Sequence, residues 1–352
     1  MPSKVLELFS RKATLAYARA RTVEGMVGQS LFPHHTVNEL TFEYWKDLNL
    51  LPVMASVQAF GAEAEQASRE GVERVEGQIP TIKRKIPLTG RALVALRREG
   101  AGDEAMVANT LYNDLDNMVD AVLTRIEYMR MEALSTGKLT LAENGVLMTV
   151  DYGVPATHKK TLTADDGKWT NPEAPVVEQI QEWQRKVRKD TGITPTRALT
   201  SDYVIQNLLK NEEVRMYIYG DLGATRAITV PQLNALFAQM GLPAILTYDA
   251  LVRRQGRDGK YETVRYFPED MFVLLPPDQL GQTLLGPTED AMLDADVETH
   301  EMAGMYAAVY KETMDPPVIF TKAAASAIPT FPMADSVFLA KVVDPDSDSD
   351  SE

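Results

Sequence analysis

Across residues 103–136 apolar side chains return at steps of four and three: Leu111, Leu115, Met118, Val122, Ile126, Met129 and Ala133. That spacing puts them on one face of an unbroken helix, a rod on the order of 45 Å at about 1.5 Å per residue, with Gly137 as its stop. The opposite face carries Asn109, Asn113, Asp116, Asn117, Asp120 and Glu127. Asp116 and Asp120 are like charges at i, i+4, so that face calls for water or a basic partner. Nearer the start, Val5, Leu8, Phe9, Ala13 and Ala16 form a looser stripe that predicts a helix over 3–27, closed by Pro33, His34 and His35. From Leu51 the period becomes two: Val53, Ala55, Val57 and Ala59 alternate with Met54, Ser56, Gln58 and Phe60, the pattern of a strand. A polar tip from Gly61 to Gly71 leads into a second extended run from Ile79 to Leu88, where Ile82, Arg84, Ile86 and Leu88 alternate with Thr81, Lys83 and Lys85. The two runs predict a long hairpin. Such a hairpin has two open edges and little core, so its cover must come from elsewhere.

The second half reads as a more regular mixture. A strand-rich stretch from Val146 to Leu162 precedes a helix starting near Pro175, with Val176, Ile180, Trp183 and Val187 inward and Gly192 as its stop. Arg197 to Thr200 is extended, Ser201 or Asp202 caps a helix through Leu209, and Thr229 with Pro231 caps another ending at Gly241. Strands follow at 244–252 and 261–267, joined by a turn with Asp258 and Gly259, then at 271–275 and 282–285. Residues 297–343 are mostly extended, and no internal repeat is visible. The fold class is α+β.

Length and composition narrow what this architecture can serve. At 352 residues and 45% apolar, the chain can build two domains or one with extensions. No apolar run approaches the roughly 20 residues that a membrane helix needs, so no membrane partner is expected. With no cysteine there is no disulfide, no thiolate nucleophile and no sulfur-ligated metal. A net charge of −14 argues against a broad grip on nucleic acid, which works through Lys and Arg displacing counterions. Part of the charge sits in the tail 344–352, DPDSDSDSE, whose composition predicts disorder. The N-terminus runs the other way, with Lys4, Arg11, Lys12, Arg19 and Arg21 against Glu7. It reads as an arm that docks on a neighbouring subunit rather than as a removable targeting peptide.

A search for chemistry yields little. GxSxG, HExxH, GxGxxG and GxxxxGK are all missing. His34 and His35, adjacent and next to Pro33, read as a helix end rather than as metal ligands. Asp290, Asp294, Asp296 and His300 make the best carboxylate cluster, yet without the Gly and terminal Glu of a calcium loop they read as a solvated acidic connection. Trp45, Trp169 and Trp183 do not interleave with basic residues, so they are core or interface anchors rather than a stacking platform for bases. No catalytic, cofactor-binding or metal residue is predicted, no cofactor is implied, and the chain is not expected to be an enzyme.

Three stretches carry a resemblance. SLFPHHTVNELTFEYWKDLNLLPVMASVQAFG (30–61), IPTIKRKIPLTGR (79–91) and DPPVIFTKAAASAIPTFPMADSVFLAKVV (315–343) are similar to the hairpin's incoming strand, its returning strand and the closing strands of the phage lambda major head protein family. With the order of elements, the likeness implies the HK97-like capsid fold, with an N-arm, an E-loop hairpin, a peripheral domain built on a long spine helix, and an axial domain. It divides the chain into 1–50 (arm and incoming strand), 51–88 (E-loop), 89–192 (peripheral domain, spine 103–136), 193–296 (axial domain), 297–343 (return to the peripheral domain) and 344–352 (acidic tail). The acidic hairpin tip and the DSDSDSE tail depart from the family pattern.

The implied function is that of a major capsid protein of a tailed double-stranded DNA bacteriophage, assembled in the bacterial cytoplasm into an icosahedral virion shell. The implied partners are further copies of itself in hexamers and pentamers, a scaffolding protein, a portal protein, a decoration protein and packaged DNA held without sequence-specific contacts. Candidate subunit-interface residues are Val57, Phe60, Glu63, Glu65, Arg69, Glu70, Ile82, Lys83 and Lys85 on the hairpin, with Arg11 and Arg19 on the arm. An encapsulin-type nanocompartment shell and a metal-dependent hydrolase with an α/β domain are the alternatives.

Overall fold

The computed structural model describes residues 9–47, 72–90, 103–220, 226–256, 259–294, 303–313 and 317–344. Chain order begins with helices α1 (Arg11–Ala20) and α2 (Gly28–Leu31) and strands β1 (His34–Thr36), β2 (Thr41–Asp47), β3 (Val72–Gln78) and β4 (Thr81–Thr89). The long helix α3 (Asp103–Thr136) leads to β5 (Lys138–Glu143), β6 (Val146–Asp151) and β7 (Lys159–Thr161). Then come α4 (Val176–Thr191), β8 (Arg197–Thr200), α5 (Asp202–Lys210), α6 (Glu212–Tyr219), α7 (Val230–Met240) and β9 (Ala244–Thr247). The chain continues through β10 (Leu251–Gln255), β11 (Tyr261–Arg265), β12 (Met271–Leu275), β13 (Thr283–Gly286) and α8 (Glu289–Leu293) to β14 (Tyr306–Glu312), β15 (Val318–Pro329) and β16 (Phe338–Lys341).

The spine helix has the predicted bounds, and all seven residues of its apolar stripe are buried. Gly137 ends it at φ 74°, where an added Cβ would also lie 2.7 Å from Val154 Cγ2. The helix expected over 3–27 is shorter in the described region. Arg21 is already extended and Gly25 turns at φ 83°, so α1 stops at Ala20. His34 and His35 do not close a helix; they belong to β1, which pairs in parallel with β13. The strand expected over 244–252 is two strands, β9 and β10, and α6 is an element that hydrophobic periodicity alone did not reveal.

Two compact units emerge, each from three chain segments. One comprises 1–42, 76–130 and 281–330. Its sheet is centred on β15, which pairs antiparallel with β4 from Val318↔Thr89 to Ser326↔Thr81 and, along its other edge, with β14 and then β13. Small residues on β15 make this tight: Ala323, Ala324, Ala325 and Ala327 are fully buried. Helix α1 lies on β14, where Thr14 Oγ1 donates to Ala307 O at 2.9 Å and Leu15 joins Ala291, Tyr306, Ala308 and Ala324 in a small core.

The other unit comprises 43–75, 131–280 and 331–352. Its sheet runs β7-β16-β12-β8-β9, with β12 antiparallel to both neighbours and β9 parallel to β8. Helices α4, α5, α6 and α7 contribute to a core with the sheet strands. Trp183 stacks on Trp169 (5.9 Å) and on Phe338 (5.2 Å), and Trp169 Nε1 donates to Gln179 Oε1 at 2.7 Å, so both rings are core anchors. The edge strand β9 is capped by Asn234 of α7, whose amide accepts from Ile245 N (2.9 Å) and donates to Ile245 O (3.3 Å), occupying groups a foreign strand would pair with. Three ribbons, β2–β3, β5–β6 and β10–β11, pair with no other described strand.

Candidate assembly surface

The returning strand β4 lies along β15, with Ile82 opposite Ala325 and Ile86 opposite Thr321. Its other long edge has no described partner strand, and the positions along it are mostly exposed. Lys83 Nζ reaches Glu289 Oε2 at 2.5 Å and Asp290 Oδ2 at 3.7 Å, and the bond to Glu289 raises its pKa above the ordinary lysine value. Lys85 sits 4.7 Å over the Phe320 ring. Of the hairpin residues put forward as interface, Ile82, Lys83 and Lys85 therefore share this strand, while Val57, Phe60, Glu63, Glu65, Arg69 and Glu70 lie outside the described residues.

The arm residues are placed against the chain's own first unit. Arg11 pairs with Asp294 (2.5 Å) and lies 5.7 Å over the Tyr306 ring, and Arg19 donates to Ala303 O at 3.4 Å. The acidic stripe of the spine finds its basic partner here too. Arg21 grips Asp120 with Nε (2.5 Å) and Nη2 (2.8 Å), and the Tyr17 hydroxyl donates to Asp116. Hydrogen bonding to Asp116, with burial second, pushes the Tyr17 hydroxyl above its ordinary range.

Glu127 departs from the solvated face assigned to it. It is fully buried, accepts from Gly28 N (2.7 Å) and pairs with the buried Arg130 (3.2 Å). Arg130 Nε in turn donates to Thr283 Oγ1 (2.8 Å), whose hydroxyl donates to Phe32 O (2.8 Å). One polar network thus joins the spine to α2, to the start of β1 and to β13. Lys46 is a second buried charge that the sequence reading missed: Nζ meets Asp335 Oδ1 and Gly153 O, each at 2.7 Å. Its signal was the alternation of β2, where Phe42, Tyr44 and Lys46 share a face and Phe42 is buried.

Among the described residues no group of three His, Cys, Asp or Glu side chains could hold a metal. In the acidic cluster, Asp290 faces Lys322 (2.5 Å) and Asp294 faces Arg11 and the Tyr306 hydroxyl (2.8 Å), so cations of the protein already neutralise these two acids. Asp296 and His300 lie outside the described residues. No helix among the described residues is long and apolar enough to cross a membrane. Large apolar side chains are instead left open to solvent: Leu147 is 86% exposed and Leu293 88%, with Met216, Tyr217, Leu251 and Tyr261 all above half.

Comparison with solved structures identifies the architecture. A prophage protein of E. coli CFT073, described as a capsid protein, superposes with a TM-score of 0.61 at 15% identity, over 94% of this chain and 97% of its own. A phage-related protein from Bordetella bronchiseptica RB50 gives 0.51 at 13% identity, over 94% and 96%. At these identities the likeness speaks for the fold, and the fold is the HK97-like capsid fold. Among curated proteins none matches the sequence. The family described as phage major capsid protein E matches residues 13–342, nearly the whole length, and the chain belongs to that family: it is a structural subunit of a tailed-phage capsid shell, not an enzyme.

Proposed function

We propose that copies of this chain close into hexamers and pentamers that tile an icosahedral head around double-stranded DNA. Membership of the capsid family across residues 13–342 carries the reading. Ring closure requires heterologous contacts, in which each copy offers two different patches. The HK97-like regions are assigned with the boundaries read from the sequence: arm 1–50, E-loop 51–88, peripheral domain 89–192 and 297–343, axial domain 193–296, tail 344–352. In this reading Val57, Phe60, Ile82 and the charged residues of the hairpin face a neighbouring copy, and the cysteine-free composition suits assembly in the reducing bacterial cytoplasm. A separate scaffolding protein guides assembly, a portal protein occupies one vertex and a decoration protein reinforces the shell. The net charge of −14 suits a container whose cargo must enter and leave, because a wall rich in Lys and Arg would hold phosphates in place.

Co-expression with the scaffolding protein, followed by size-exclusion chromatography and negative-stain imaging, tests this. The expected products are closed particles together with free pentamers or hexamers. A folded monomer under every condition would refute it, and particles filled with a cargo enzyme rather than DNA would favour a cellular compartment.

A further inference from the structure

The segment from Leu251 to Arg265 is out of character with the rest of the chain. It holds five basic residues, Arg253, Arg254, Arg257, Lys260 and Arg265, and two acidic ones, Asp258 and Glu262, in a protein of net charge −14. Its two strands, β10 and β11, pair with each other and with no other described strand, and a lone two-stranded ribbon has too little core to be stable by itself. The root is nevertheless firmly held. Tyr248 and Tyr266 stack at 6.0 Å, Arg265 pairs with Asp249 and with Glu269 (3.0 Å), and Tyr266 N donates to Ala250 O (3.2 Å).

Cross-strand partners share a face, so the register places Leu251 and Arg253 on the same side as Thr263 and Tyr261. On that side Leu251 is 58% and Tyr261 53% exposed, and the Arg253 guanidinium lies 4.7 Å over the Tyr261 ring. Along this face Arg253 stands between Leu251 at one end and Tyr261 at the other, and Tyr and Arg are enriched among residues that dominate binding energy.

The same unit carries a surface of complementary character on α6. Met216 is 63% and Tyr217 55% exposed, and Glu212 stands exposed in the first turn. The basic residues Lys210 and Arg215 also lie on this pair of helices, so Glu212 is the acid that stands beside Met216 on α6. The helix is fixed in place by Asn211, which caps it through Val214 N (3.1 Å) and ties back to Pro172 O and Ala174 O (2.9 Å each). A ring of identical subunits needs a donor patch and a different acceptor patch on every copy. Each surface carries two exposed apolar side chains, and the exposed Arg253 of the ribbon is opposite in charge to the exposed Glu212 of α6.

We propose that the β10–β11 ribbon of one copy docks on α6 of the next copy within a capsomer, with Leu251 and Tyr261 against Met216 and Tyr217 and with Arg253 toward Glu212. The proposal rests on the shell-subunit reading. Desolvation of the four apolar side chains holds the contact, while the charges set orientation and speed of encounter.

The absence of native cysteine allows a direct test. Particles are assembled from a mixture of two separately tagged variants, Met216→Cys and Leu251→Cys, and then oxidised; Tyr217→Cys with Tyr261→Cys serves as a second pair. Because a disulfide forms only where Cα atoms approach within about 7 Å, a contact as proposed gives a heterodimer carrying both tags as the main covalent product of at least one pair. A chain carrying both substitutions of that pair gives covalent rings. In parallel, Arg253→Glu lowers assembly roughly tenfold or more, about 1.4 kcal/mol, and adding Glu212→Arg to the same chain restores it. Normal particles in which neither pair links across chains, or an Arg253→Glu variant that assembles like the parent, overturn the docking proposal while leaving the shell reading intact. Failure of the parent chain to form particles at all would overturn the shell reading instead.

Discussion

Glu127 and Arg130 are three residues apart on the spine, 0% and 2% exposed, and each is held by further hydrogen bonds. Removing one member of such a pair strands the other without water, which typically costs about 3–5 kcal/mol, whereas replacing both with apolar side chains of similar size is far milder. Glu127→Leu and Arg130→Met singly should therefore lower the urea midpoint sharply, and the double variant should recover most of the loss; equal damage from all three would show that the pairing itself does not matter. Residues of this kind are hard to see in a sequence. Glu127 lies on the same helical stripe as Asp116 and Asp120, and a polar face is the ordinary reading of that stripe. The clue was local: Arg130 at i+3 sits between Met129 and Met131, in a stretch where Ala133 and Leu134 are also apolar, and all four of these apolar residues are buried. Lys46 hid in the same way, as a charge on the buried face of a strand.

The contact between α1 and the spine is a different kind of interaction, made of partly exposed charges worth at most about 1 kcal/mol each and weakened by salt. Changing Asp116→Asn and Asp120→Asn together should speed hydrogen exchange in residues 11–20 while leaving 176–191 unaffected, and added salt should produce the same pattern in the parent chain. Tyr17 adds a pH dependence. Its hydroxyl titrates higher folded than unfolded, so its contribution is complete below the ordinary tyrosine range and is lost as pH climbs through the raised value. Exchange of α1 should stay flat to that range and rise above it; a rise already near neutrality would contradict the assignment. Among the elements, those with period and punctuation were legible: α3 with its seven-residue stripe, α4 with Gly192 at φ 76°, and α7 between Thr229 and Gly241. Helix α6 was not, because Asn211 ends α5 and caps α6 at once, leaving no loop to announce a new element. The break between β9 and β10 escaped for a related reason: Tyr248, Asp249 and Ala250 include neither Gly nor Pro.

For the whole molecule, the order of arm, hairpin, spine, α/β region and closing strands was enough to suggest the fold, since that order is set by periodicities that survive in any one sequence. The pairing of β15 with β4, residues 318–326 with 81–89, was not, because contact across such a separation leaves no local trace. Some capsids of this fold join a hairpin Lys to an Asn of the next subunit, but the tip 61–71 of this chain offers Arg69 and no Lys. An arginine keeps its proton and cannot act as that nucleophile. Mature particles boiled in detergent should therefore release one band near 39.0 kDa, and a ladder of covalent oligomers would refute this.

Strand β15, at residues 318–329 of 352, is the strand to which β4, β14 and β13 all attach. Polypeptides are made from the N-terminus, so the first unit cannot close its sheet until residues 318–329 have been synthesised. A chain cut short by a stalled ribosome or a nonsense codon lacks the strand around which that unit is organised. Such a fragment cannot form the β4–β15–β14 sheet on which that unit is built.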